Sequence, residues 1–117
     1  MSGTLYIVPT PIGNLADITY RAVEILGTVD AVLAEDTRQT KKLLDHYNIE
    51  KKLIPFHQHN EHKNLQMVIS KLQAGENFAV CSDAGMPGIS DPGYLLIREA
   101  IANDLQVITL PGAVAAI

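Results

Sequence analysis

Twelve residues, Ser82-Asp83-Ala84-Gly85-Met86-Pro87-Gly88-Ile89-Ser90-Asp91-Pro92-Gly93, combine three glycines, two prolines, two serines and two aspartates. Such a stretch cannot build a core. It can expose backbone N–H groups, admit a ligand close to the main chain and supply carboxylates. Pro9-Thr10-Pro11-Ile12-Gly13-Asn14 and Pro111-Gly112-Ala113 are of the same kind, and each follows a short apolar run. Glu35-Asp36-Thr37-Arg38 adds two carboxylates and a guanidinium. Arg38 stands at a predicted helix start, where it either pairs with those carboxylates or reaches a substrate.

Other chemistries find less support. There is no Gly-x-x-x-x-Gly-Lys-Ser/Thr segment to cradle phosphate, and no Gly-x-Gly-x-x-Gly after the first apolar run. His57, His59 and His62 invite a metal reading, but no second set of ligands stands at a matching spacing, so no metal is expected. Arg38, Lys41, Lys42, Lys51 and Lys52 gather five of the nine basic residues around one helix. That run reads first as a solvated face and, in a sharper version, as a phosphate-contacting patch.

The segments that must carry these stretches alternate. Leu5–Val8 reads as a buried strand that stops at the prolines beginning with Pro9. Ala22, Ile25, Leu26 and Val29 form one face of a helix from about Thr19 to Gly27, which Gly27 is placed to end. Asp30–Ala34 reads as a second strand. Asp36 and Gln39 have the spacing of a capping box, opening a helix with Thr40, Leu43, Leu44 and Tyr47 inward and Asn48 as its stop. Leu53–Phe56 is a short strand near an edge, because Pro55 cannot donate to a ladder. Leu65, Val68, Ile69 and Leu72 mark a further helix closed by Gly75. Phe78–Cys81 is the fourth strand; Asp91 caps a helix that starts at Pro92 and runs to about Asn103; Val107–Leu110 is the fifth strand; and Val114–Ile117 begins another helix.

Five such alternations predict an α/β fold, a five-stranded, mainly parallel sheet with helices on both faces. Ligands of these sheets bind beyond the carboxyl ends of the strands, the edge from which all three Pro/Gly stretches leave.

Composition narrows the class. The 117 residues are 47% hydrophobic and 19% charged, enough for one independent core and unlike a disordered chain. With a net charge of -4 the chain as a whole is not a basic nucleic-acid-binding surface, which leaves a nucleic-acid partner to a local patch or to another domain. Cys81 has no second cysteine to pair with, so a reducing, cytoplasmic setting and a packing role are expected. The start of the chain carries no secretory signal, and no apolar run approaches the ~18 residues of a membrane helix.

Taken together, Pro9–Leu15 followed by Asp17-Ile18, Glu35–Arg38, His59-Asn60-Glu61, Ser82–Gly93 and Leu110–Ala113 resemble, in order and over essentially the whole chain, one family. It is the 16S ribosomal RNA cytidine 2'-O-methyltransferases of the RsmI (YraL) type, within the tetrapyrrole methylase superfamily. The resemblance implies two α/β domains with S-adenosylmethionine in the cleft between them, a homodimer, and a 16S rRNA substrate in the small ribosomal subunit. Residues 1–117 would then be the amino-terminal domain, with the carboxyl-terminal domain absent.

Carried over by motif, the stretch Pro9–Asn14 lines the cofactor cleft, Pro9, Pro11 and Gly13 foremost, with Pro11 and Gly13 allowing close approach. Ser82, Asp83, Ala84 and Gly85 meet the methionine moiety, Ile89, Ser90 and Asp91 form the neighbouring wall, and Pro111 and Gly112 close the site. Porphyrinoid members have a Gly-Pro-Gly-Asp type loop after the first strand; Pro-Ile-Gly-Asn stands here, so Asn14 replaces the acid, as is usual in the rRNA branch. Asn14 and Arg38 are the candidates for substrate contact. Asp83, Asp36 or a residue of the absent domain could act as base, and the sequence does not choose. The other readings are a non-catalytic RNA-binding or dimerisation module, and a methylase of a tetrapyrrole or another small substrate.

Overall fold

The computed structural model describes residues 2–10, 18–56, 61–83 and 91–110. In chain order they form β1 (Thr4–Thr10), α1 (Tyr20–Thr28), β2 (Ala31–Ala34), α2 (Thr37–His46), β3 (Lys52–Pro55), α3 (Glu61–Gln73), β4 (Phe78–Asp83), α4 (Asp91–Ala102) and β5 (Gln106–Thr109). The strands lie side by side as β3-β2-β4-β1-β5, and every pairing is parallel.

Alternation along the strands divides the core in two. Leu5, Ile7, Ala31, Leu33, Phe78 and Val80 meet Val68, Ile69 and Leu72 of α3 and Leu96 and Ala100 of α4. Their neighbours in sequence, Val8, Val32 and Ala79, meet Ala22, Ile25 and Leu26 of α1 and Leu43 and Leu44 of α2. A sheet buried on both sides needs apolar residues at both parities, which explains the continuous apolar runs. The expected architecture, five strands with helices on both faces, is the one observed.

Element ends follow local chemistry. Thr19 caps α1, its hydroxyl accepting from the Ala22 amide, and Asp36 caps α2 by accepting from the Arg38 amide. Asn48 just beyond α2 has φ 57° and Gly75 beyond α3 has φ 104°, the left-handed conformation that ends a helix.

Several expectations need correction: α4 begins at Asp91 itself and not at Pro92, β3 spans Lys52–Pro55 and not Leu53–Phe56, and β5 spans Gln106–Thr109, with Leu110 just beyond it. Gly27 does not end α1; it is a solvent-exposed residue inside the helix, which closes at Val29, where the buried stripe ends. Asp30 precedes β2 instead of opening it. β1 runs through Pro9 to Thr10, because both residues stay paired with β4, at Pro9↔Ser82 and Thr10↔Asp83. The Ile7 carbonyl accepts from Leu110 on the β5 side, so Pro9, two residues on, turns its missing donor to that side, where the ladder ends at Ile7↔Thr109, and leaves the pairing with β4 intact. Finally, β4 continues through Ser82 and Asp83, which pair with Pro9 and Thr10. The expected helix over Val114–Ile117 lies outside the described residues.

The opposite, amino-terminal edge is tied together by polar contacts. The Gly3 amide donates to the Leu72 carbonyl (2.7 Å), the Thr4 amide to Asn77 Oδ1 (2.8 Å) and the Thr4 hydroxyl to Gln106 Oε1 (3.1 Å). All the Pro/Gly stretches leave from the other edge.

Candidate functional site

The connection from β1 leads to α1 and that from β2 to α2, both on one face, whereas the connection from β4 leads to α4 on the other. β4 lies between β1 and β2, so the chain diverges to opposite faces on each side of it. Crevices at such switch points are where open α/β sheets take ligands.

Register sharpens this. Pro9 is level with Ser82 and Thr10 with Asp83, so the stretches after β1 and β4 begin side by side, one strand spacing of about 4.8 Å apart. Both strands run past their outer neighbours, β1 beyond Ile7↔Thr109 and β4 beyond Ala34↔Cys81. β5 adjoins β1, and β2, which leads into Glu35–Arg38, adjoins β4. Four stretches far apart in sequence therefore leave four adjacent strands.

Among the candidate site residues, Pro9 is half-buried near the end of β1, Ser82 and Asp83 end β4, and Asp91 is the first residue of α4. Pro11, Gly13, Asn14, Ala84, Gly85, Ile89, Ser90, Pro111 and Gly112 lie outside the described residues. Ser82 and Asp83 were read as part of a loop; as strand residues they are held by the β1 ladder, a firmer support for a ligand contact. Thr10, part of the Pro9–Asn14 stretch expected to line the cleft, is level with Asp83.

Arg38 keeps its side chain 90% exposed, with Nε 3.6 Å from Asp36 Oδ1. Its amide, not its charge, is what the helix cap uses. Lys41 pairs with Asp45 at 3.6 Å, and Lys51 Nζ donates to the Gly27 carbonyl at the end of α1 (3.2 Å). Three of the five clustered cations thus have local partners, in keeping with a solvated face. Cys81 is half-buried against the α1/α2 side of the core, a packing position. His57 and His59 lie outside the described residues; among the described ones, no group of three or more His, Cys, Asp and Glu could hold a metal ion. Among them, too, no helix is long and apolar enough to cross a membrane.

A family model described as tetrapyrrole (corrin/porphyrin) methylases matches residues 4–117. The chain belongs to this family. As a tetrapyrrole methylase family member it is 54% identical over 115 residues to the ribosomal RNA small subunit methyltransferase I of Escherichia coli O157:H7, covering 98% of this chain and 40% of that protein. It is 55% identical over 115 residues to the protein of the same name from a Synechocystis species, covering 98% and 41%. The chain thus spans about two fifths of the length of these curated relatives.

Solved structures agree on the fold. Uroporphyrin-III-C-methyltransferase from Thermus thermophilus superposes with a TM-score of 0.71 at 18% identity, covering 96% of this chain and 48% of that one. A diphthine synthase gives 0.72 at 14% identity, covering 94% and 44%.

Proposed function

We propose that this chain is the cofactor-side, amino-terminal domain of an S-adenosylmethionine-dependent methyltransferase that methylates the ribose 2'-oxygen of a cytidine in 16S rRNA. The observation that carries this reading is identity above one half, over nearly the entire chain, to proteins named for small-subunit rRNA methylation. A second α/β domain completes the cleft, and the protein works as a cytoplasmic homodimer.

The residues present suit the cofactor. A sulfonium methyl is already activated, so what is asked of the protein is placement and removal of one proton. A molecule with an amino-acid end and a nucleoside end needs several contact stretches close together, and the level ends of β1 and β4 begin two of them side by side. Ser82 and Asp83 take the methionine end, Asp83 as a carboxylate beside an ammonium group. Pro9, Pro11 and Gly13 hold the adjoining wall, Ala84, Gly85, Ile89, Ser90 and Asp91 the other, and Pro111 and Gly112 close it from beside β5. Asn14 and Arg38 face the RNA.

The test is calorimetric titration of S-adenosylmethionine and S-adenosylhomocysteine into the full-length protein, followed by methyl transfer to small ribosomal subunits. Binding of both and modification of one cytidine ribose is expected; binding of neither would sink the proposal. Cofactor binding with transfer only to a porphyrinoid would overturn the RNA assignment.

A further inference from the structure

In a chain whose net charge is -4, α2 carries three basic residues, Arg38, Lys41 and Lys42, against one acidic residue, Asp45. Lys41 and Asp45 pair across one turn at 3.6 Å. Two cations are left over.

The stability of the helix calls for neither of them where it stands. Arg38 lies in the first turn of α2, where the helix dipole disfavours a cation, and no acidic residue accompanies it in that turn. Asp36 Oδ1, 3.6 Å from Arg38 Nε, already accepts from the Arg38 amide, and an ion pair this exposed contributes little. Lys42 follows Arg38 by four residues, a spacing at which like charges on a helix repel. Lys42 is exposed, and its ammonium group makes no hydrogen bond or ion pair with any described residue.

Both side chains stand on the outer face. Each is two residues from the buried Thr40, about 200° round the helix, so each points away from the sheet while Leu43 and Leu44 point into it. α2 begins at the ligand edge, directly after Glu35 and Asp36, and the side chains of a helix lean toward its N-terminus. Arg38 therefore reaches toward the mouth of the crevice, and Lys42 stands one turn, about 6 Å, behind it. α1, on the same face, offers no such row, because its Arg21 is balanced by Glu24 at 4.0 Å.

We propose that Arg38 and Lys42 form a phosphate track, which holds the backbone of the RNA strand where it leaves the crevice and passes over the outer face of α2. This deepens the RNA-methylation reading above and rests on it. A ribose presented inside the crevice stays joined to its neighbours, so the strand must cross the rim. Like charges one turn apart are unfavourable in the free protein and become favourable once anions lie beside them. A strand with a phosphate at every nucleotide supplies those anions in series. α2 has no Phe, Tyr or Trp on which a base could stack, so the track grips the backbone and leaves the choice of nucleotide to the crevice.

The test uses full-length protein, with poly(U) as a protein-free strand and small ribosomal subunits as substrate. Lys42→Gln and Arg38→Gln each weaken poly(U) binding about fivefold at low salt and flatten the slope of log affinity against log salt by about 0.7. Lys42→Arg keeps wild-type affinity, and so does Lys71→Gln, which removes a lysine from α3 on the other face. KM for subunits rises in the two glutamine variants, with kcat and S-adenosylmethionine affinity unchanged. The melting temperature of Lys42→Gln does not fall, because a repulsion has been removed. A double variant with wild-type poly(U) affinity and wild-type KM overturns the track and leaves the methyltransferase reading untouched. A raised KM with unchanged poly(U) affinity also overturns it, since the occupant of α2 is then a ribosomal protein. Wild-type protein that transfers no methyl group to subunits overturns the reading on which the track rests.

Discussion

Asp30 and Asn77 exchange two hydrogen bonds: the Asp30 amide donates to the Asn77 carbonyl at 2.8 Å, and the Asn77 amide donates to Asp30 Oδ2 at 2.7 Å. Asn77 Oδ1 also accepts from the Thr4 amide, so one side chain and one backbone unit join the starts of β1, β2 and β4. Asn77→Ala strands a half-buried Thr4 amide and lowers stability by about 1–2 kcal/mol, whereas Asp30→Ala, at a more exposed bond, costs about 1 kcal/mol or less. Urea denaturation checks both. Unchanged stability in Asn77→Ala would show that the Thr4 contact contributes nothing.

Three glycines give opposite results on substitution by alanine. A Cβ at Gly3 would collide with the Glu76 carbonyl, a backbone group that cannot swing away, so Gly3→Ala costs more than about 2 kcal/mol. Gly75→Ala forces alanine to φ 104° and costs about 1–2 kcal/mol. At Gly27 a Cβ meets nothing within 4 Å, and the residue is helical, so Gly27→Ala stabilises by about 0.5–1 kcal/mol. Thermal unfolding of the three variants settles the signs.

Thr19→Ala removes the acceptor for the Ala22 amide and costs about 1 kcal/mol. Asp36→Ala loses the corresponding bond at α2 and, being more exposed, costs a similar amount or less. Denaturation at two salt concentrations separates the cap from the weak Arg38–Asp36 ion pair, since only the latter is screened appreciably.

Arg38→Ala distinguishes the two readings of that guanidinium. Its side chain is almost fully exposed, so stability changes by less than about 0.5 kcal/mol in either case. A substrate contact raises KM for ribosomal subunits with cofactor affinity unchanged; an unchanged KM leaves only the surface pairing with Asp36.

Asp83→Ala in the full-length protein weakens S-adenosylmethionine binding by about tenfold or more, the loss of a hydrogen bond to a charged group. Wild-type affinity in this variant would remove Asp83 from the cofactor site, whatever the fate of the remaining contacts.

Much of the fold was legible because its signals are local. The stripe Ala22, Ile25, Leu26, Val29 and the stripe Val68, Ile69, Leu72 are each one helix face and are buried as such. Apolar runs without alternation implied a sheet covered on both sides, and Asn48 and Gly75 stop their helices as their residue types suggest. Where the reading failed, the deciding partner was distant. Gly27 resembles a stop, yet Val29 is buried and keeps the helix going until its stripe is complete. Pro9 resembles a strand end, yet whether its missing N–H costs anything depends on β5, roughly a hundred residues away.

By itself the sequence determined which segments become strands and helices, which stretches are free of core duty, and, through its ordered motifs, the family. Only tertiary structure decided that β4 enters the sheet between β2 and β1, and that β5 crosses to the far side of β1. Strand order is set by the packing of whole helices on two faces, a sum of many small burials that no single segment encodes. It is this order that brings Thr10 level with Asp83 and gathers four separate stretches at one edge.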